Sequence, residues 1–174
     1  AGPVVDVGCG PGHVAHYLAA RGVDVSGLDL SPGMVEQARA LHPGVSFRVG
    51  DVTALDAADG AWAGAVAYYS LIHLPRSTVV HALRELARVL RPDAPLFLAF
   101  HAGAETRHMD EWWGRPVRLD FVFFTADEMA GFLREAGFTV EDVTERDPYP
   151  EVEAPTRRAY VIAVRGPAAV PSGA

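Results

Sequence analysis

The chain has 174 residues, 49% of them hydrophobic, which suits one domain with a sizeable core. A formal net charge of −7, with every one of the 15 basic residues an arginine, leaves no basic footprint for nucleic acid or an anionic membrane and excludes lysine Schiff-base chemistry. The single cysteine, Cys9, cannot form an internal disulfide, and there is neither a signal peptide nor a membrane-length apolar run, so a soluble cytoplasmic protein is expected.

Val4 to Val7 is a short β-branched run that reads as a buried parallel strand. Gly8, Gly10 and Gly12 follow at alternate positions, and then Val14, Ala15, Leu18 and Ala19 recur at helical spacing. The order strand, glycine loop, helix aims backbone N–H groups at whatever sits over the strand's C-terminal edge. Val23 to Asp29 is the second strand. It ends in a carboxylate about 20 residues past the glycines, where a fold needs an acid to grip a ribose diol. Two cofactor classes fit so far. A dinucleotide site needs a third glycine where His13 stands, and that leaves a nicotinamide-dependent oxidoreductase as the weaker alternative.

Ser31-Pro32 reads as an N-cap and a first-turn proline, opening a helix with Met34, Val35, Ala38 and Leu41 that ends near His42-Pro43-Gly44. Val45 to Val49 is a third strand leading into Asp51 and Val52, and Ala61 to Tyr69 a fourth, small and apolar on both faces and therefore central. Leu74-Pro75 opens a helix with Val79, Leu83, Leu86 and Leu90 on one stripe, stopped by Arg91-Pro92-Asp93. Leu96 to Phe100 is a fifth strand. His101 to Val117 has no clear period and reads as a long crossing loop, a lid carrying Trp112 and Trp113. Arg118 to Phe124 is a short extra strand or an extended approach. Thr125-x-x-Glu128 is a capping box for a helix with Met129, Phe132, Leu133 and Ala136, closed by Gly137. Phe138 to Thr144 and Ala159 to Val164 are the last strands. The linker Asp147 to Pro155 is too short for a helix crossover, so they pair antiparallel. Residues 1–165 form one domain and 166–174 a flexible tail.

Alternating β and α elements argue for a doubly wound, mostly parallel sheet, with ligands outside the strands' carboxyl ends. Asp6 to Gly12, Asp29, Asp51, Tyr69 to His73 and Phe100-His101 all fall at such ends. His13 and His16 share a helix face without a third partner, so no metal site is expected there. His73 and His101 are the candidate general bases, imidazole titrating near neutrality. Arg157 and Arg158 are candidates for a substrate carboxylate or for ion pairs with Glu151 or Glu153.

The stretch Asp6-Val7-Gly8-Cys9-Gly10-Pro11-Gly12, together with Gly27-Leu28-Asp29, resembles the class I S-adenosylmethionine-dependent methyltransferases of small-molecule type. The resemblance implies a Rossmann-like, doubly wound, seven-stranded sheet whose last strand is antiparallel, and methyl transfer from S-adenosylmethionine to a small-molecule acceptor. A non-catalytic S-adenosylmethionine-binding domain is the other alternative. The implied cofactor-binding residues are Asp6, Gly8, Cys9, Gly10 and Gly12 around the methionine half, Asp29 on the ribose, Leu30, Asp51 and Val52 around the adenine, and Tyr69 and Ser70 under the sulfonium. Cys9 itself reads as a soft filler between strand and helix. No metal is implied, because Tyr69-Ser70-Leu71 lacks the acid that starts a catechol-type metal site. The family usually carries a helical segment ahead of its first strand. Only Ala1-Gly2-Pro3 precede Val4 here, so a missing segment is expected, with an exposed apolar patch near Val14, Leu18 and Tyr69.

Overall fold

The computed structural model describes residues 2–112 and 114–167. β1 (Val4–Val7) is buried by its β-branched side chains and lies inside a seven-stranded sheet, two strands from one edge. β2 (Val25–Asp29) and β3 (Ser46–Val49) extend the sheet on one side of it. β4 (Gly64–Tyr68) and β5 (Pro95–His101) extend it on the other, all parallel. Beyond β5 come β9 (Arg158–Arg165) and then β8 (Phe138–Arg146), giving the order β3-β2-β1-β4-β5-β9-β8. β9 runs antiparallel to both its neighbours. The expected seven strands and the antiparallel last strand are therefore present, and β4 is central.

The helices are where the caps put them. α1 (His13–Ala19) has Gly12 as its N-cap, with no side chain of its own to accept a first-turn N–H. α2 (Pro32–Leu41) is capped by Ser31, which accepts from Met34 N–H. α3 (Arg76–Val89) starts one residue after Pro75, which is its N-cap and not its first helical residue. Its stripe of Val79, Ala82, Leu83, Leu86 and Val89 is fully buried, each large side chain contributing about 1.5–3 kcal/mol. α4 (Ala126–Glu135) is capped by Thr125 through Glu128 N–H at 3.1 Å, and Gly137 leaves it at φ 93°. The main core lies between the sheet and α3 and α4; a smaller one joins Cys9, Ala15, Val35, Ala38 and Phe47 under α1 and α2.

The expected lid is not a loop. β6 (Thr106–Trp112) and β7 (Arg115–Val122) form an antiparallel hairpin outside the main sheet, with a register shift between Met109 and Glu111. Its sequence shows no apolar–polar alternation because polar residues stand on both faces: Arg107, beside Met109, on one, and Thr106, His108 and Asp110 on the other. The extra strand expected at Arg118 to Phe124 is the second half of this hairpin. Trp113 and the side chain of Trp112 lie outside the described residues, as does the tail from 168 to 174; Gly166 N–H still donates to Gly137 O at 2.9 Å. β2 starts two residues late because Val23 N–H is spent on Leu18 O. β4 stops before Tyr69, whose φ of 56° turns the chain out of the sheet. β8 runs on to Arg146. No helix of the described residues is long and apolar enough to cross a membrane.

Candidate active site

The glycine loop leaves β1 with Gly8 and Cys9 N–H both donating to Leu28 O at 2.8 and 2.9 Å. Gly8 and Gly12 are dictated by close approach. A Cβ on Gly8 would stand 2.2 Å from Ser70 Cβ, and one on Gly12 2.6 Å from the Phe47 ring. Gly10 differs: at φ 50° its missing Cβ would meet nothing within 4 Å. That open side is where a ligand can lie against backbone.

Two carboxylates hold the loop. Asp29 accepts from Gly10 N–H with one oxygen and from Ser31 N–H with the other, both at 2.8 Å. Asp6, 1% exposed, accepts from Ala15 N–H at 3.0 Å and so supplies from β1 the cap that Gly12 cannot give α1. Its other oxygen is buried without a partner among the described residues, as is the Ser70 hydroxyl beside Gly8. Burial pushes the Asp6 carboxyl up to about 7, against the opposing Ala15 hydrogen bond and helped by the nearby Asp29 charge.

The Cys9 side chain packs in the smaller core with Phe47, and burial pushes its thiol up to about 12; this is an inert filler. Asp51, at the end of β3, accepts from Thr53 N–H and hydroxyl at 2.8 and 2.7 Å with a single oxygen. Val52 packs against the main core. Leu30, next to Asp29, is 68% exposed.

A second group meets across β4 and β5. The Tyr69 hydroxyl is buried; burial and the neighbouring Tyr160 raise its pKa, though Tyr160 hydrogen-bonds instead to Arg146 Nη2 at 2.8 Å. The His101 ring lies 4.8 Å from that of Tyr69 and stacks on Phe123 at 5.1 Å and 24°. Its Nδ1 shares a hydrogen bond with the Thr156 hydroxyl at 2.9 Å. Burial, then the charges of Arg158 and Arg107, push His101 down to about 4, so it is neutral near pH 7. His101, Thr156 and the hairpin-side residues Arg107, Met109, Phe121 and Phe123 line a half-open cavity of about 220 Å³. His73 is elsewhere. Its Nδ1 lies 3.1 Å from Asp120 O and its ring meets Phe121 edge-on at 4.9 Å.

The remaining expectations divide. Arg158, buried, ion-pairs with Glu153 at 3.2 Å and donates to Ala154 O and Thr156 O. Arg157 pairs with Glu145 and Asp147 at 3.2 and 3.3 Å, so both arginines serve protein ion pairs, one of them with the expected Glu153. His13 and His16 do gain a third ring: His42 stacks on His16 at 4.4 Å. No group among the described residues is arranged to hold a metal. Val14, Leu18 and Tyr69 are half-buried; the large exposed apolar side chains near the loop are Tyr17 and Leu30.

Residues 4–93, half of the chain, match the methyltransferase domain family. The chain belongs to the class I S-adenosylmethionine-dependent methyltransferases. Among relatives of this chain, the O-methyltransferase resE of Aspergillus sclerotiorum is 32% identical over 151 residues, covering 82% of this chain and 56% of that protein. The ubiquinone biosynthesis O-methyltransferase of Xanthomonas axonopodis pv. citri (strain 306) is 34% identical over 159 residues, covering 81% and 64%. The chain spans about half the length of the first curated relatives it matches. A Methanosarcina mazei protein described as a SAM-dependent methyltransferase shares the fold at a TM-score of 0.86 and 18% identity, covering 95% of this chain and 93% of that one.

The residues of this chain fit the cofactor of the family on three observations: the open face over Gly10, an orphaned carboxylate oxygen on Asp6, and Asp29 with acceptor capacity left at each oxygen. The nicotinamide alternative gives way to the family assignment. Sequence reasoning missed three site residues. Gly27 was visible in principle, as a glycine inside a strand; a Cβ there would stand 2.6 Å from Phe47 and 2.9 Å from Cys9 Sγ. Thr156 and Arg107 carried no local signal, because each matters only through His101 or the hairpin.

Proposed function

We propose that this chain transfers the methyl group of S-adenosylmethionine to a small-molecule acceptor. The observation that carries the reading is the open loop face over Gly10, flanked by Asp6 and Asp29 and continued across Ser70 and Tyr69 to the cavity beside His101. Bound there, the cofactor supplies an electrophilic methyl on a sulfonium. Asp29 takes the ribose hydroxyls and Asp6 the amino group of the methionine half. Gly10 leaves the open space, and Gly8 and Gly12 let the turn that carries the Cys9 backbone close against Ser70 and Phe47. Leu30, Asp51 and Val52 border the adenine, and Tyr69 and Ser70 the sulfonium.

Of the two histidines, His101 lines the acceptor cavity and stays neutral, while His73 anchors the hairpin through Asp120 and Phe121. Holding acceptor and methyl in line and away from water supplies on the order of 7–11 kcal/mol in well-oriented reactions, without an obligatory base or metal. The net charge of −7 supports a small molecule over nucleic acid as acceptor.

Calorimetry of S-adenosylhomocysteine against NAD tests the cofactor, and methyl transfer to a panel of small acceptors tests turnover. Asp29→Ala is expected to weaken S-adenosylhomocysteine at least about a hundredfold, two charge-assisted bonds at roughly 1.5–3 kcal/mol each. A change under about threefold sinks the ribose assignment, and tighter binding of NAD sinks the function.

A further inference from the structure

The hairpin sorts its side chains by strand alternation. Arg107 stands directly opposite Phe121, and Met109 and Phe123 continue the same face. That face, with His101 and Thr156, lines the cavity of about 220 Å³. Drug-sized ligands occupy roughly 300–1,000 Å³, so this space suits a single ring with small substituents. The rings of Phe123 and His101 give it flat, apolar walls.

Its charge is one-sided. Among the described residues lining it, Arg107 is the cation and none is a carboxylate. The guanidinium lies 4.8 Å from the Phe123 ring centre. Its ion partner, Glu105 at 2.9 Å, is half-exposed, and such a pair is worth little. Buried Arg158 stands behind Thr156, donating to its carbonyl, with its charge shared with Glu153.

We infer that the methyl acceptor is a planar, single-ring molecule carrying an anionic oxygen, and that Arg107 is the residue that selects it. The inference rests on the methyltransferase reading and names the acceptor class for that site. Glu105 competes with the acceptor's anion for the same guanidinium and is released when the anion enters.

Calorimetry with benzoate and its neutral counterpart benzyl alcohol, at saturating S-adenosylhomocysteine, tests it. Benzoate binds the unaltered chain roughly tenfold more tightly, the worth of one charge-assisted bond discounted for exposure. Arg107→Met, which keeps the packing on Phe123, removes that preference and leaves S-adenosylhomocysteine affinity unchanged. Glu105→Gln, which leaves Arg107 in place but uncompetitive, widens it, so the test survives if Arg107→Met fails to fold. 4-Nitrophenol separates the two sources of anionic oxygen: a phenolate absorption band on binding, at a pH where the free compound is protonated, marks a phenolate site, and its absence together with benzoate binding marks a carboxylate site. Equal binding of benzoate and benzyl alcohol, or a preference that Arg107→Met and Glu105→Gln both leave in place, overturns the inference. Failure of S-adenosylhomocysteine to bind the unaltered chain overturns the methyltransferase reading instead.

Discussion

Asp6 carries a proton in the folded state over a range where the unfolded chain does not. Its ordinary value is 3.8 and its folded value about 7. Between these the native state binds more protons at this group, so the contribution of Asp6 to stability is full below about pH 4 and is lost as pH rises through 7, on the order of 1 kcal/mol per unit. Asp6→Asn should flatten that slope in urea titrations at pH 5 and 8. The ammonium of the methionine half favours the ionised carboxylate, so S-adenosylhomocysteine should bind more tightly as pH rises through 7, and in Asp6→Asn that dependence should vanish. The glycines make a sharper contrast. Gly10→Ala meets no protein atom and should cost only the 1–2 kcal/mol of a left-handed residue (φ 50°), yet it blocks the cofactor's face. Gly8→Ala collides with Ser70 as well and should be markedly less stable. If thermal melting ranks the two the other way, the open face over Gly10 is wrongly assigned.

At the scale of elements, the hairpin decides how the acceptor side is built, and Arg76 decides how the hairpin is held. Its guanidinium ion-pairs with Glu128 at the start of α4 and donates to Ala104 O and Phe123 O on the two hairpin stems, while lying over the Phe124 ring. One side chain at the start of α3 thus ties both stems to the core. Arg76→Met should raise the acceptor KM severalfold and speed amide exchange over residues 104–122, with S-adenosylhomocysteine affinity untouched. Unchanged exchange there would show that the hairpin is held by the His73–Phe121 contact and the Ala102–Phe124 bridge instead. The caps, by contrast, were open to reading in advance. Ser31 and Thr125 each act on an N–H three residues on, a relation contained in the sequence itself. The hairpin has no such signature: its polar residues gain meaning from what each face is turned toward.

For the whole molecule, cofactor and acceptor sides are both set by strand ends brought to one edge of the sheet. The buried stripe of α3 lies in the main core together with side chains of β4 and β5. Leu86→Ala, at 0% exposure, should cost about 2–5 kcal/mol in urea denaturation. The strand–glycine–helix unit, the acid closing β2, the helix caps and the alternation of β and α were fixed by sequence alone, because each depends on residues within a few turns of one another. The tertiary structure alone brought Asp6 to Ala15, Arg76 to Glu128 and Thr156 to His101, the last pair 55 residues apart in sequence. It also decided protonation. A carboxyl held near neutrality and a histidine held neutral are consequences of burial and of charges from other elements, and local sequence carries neither.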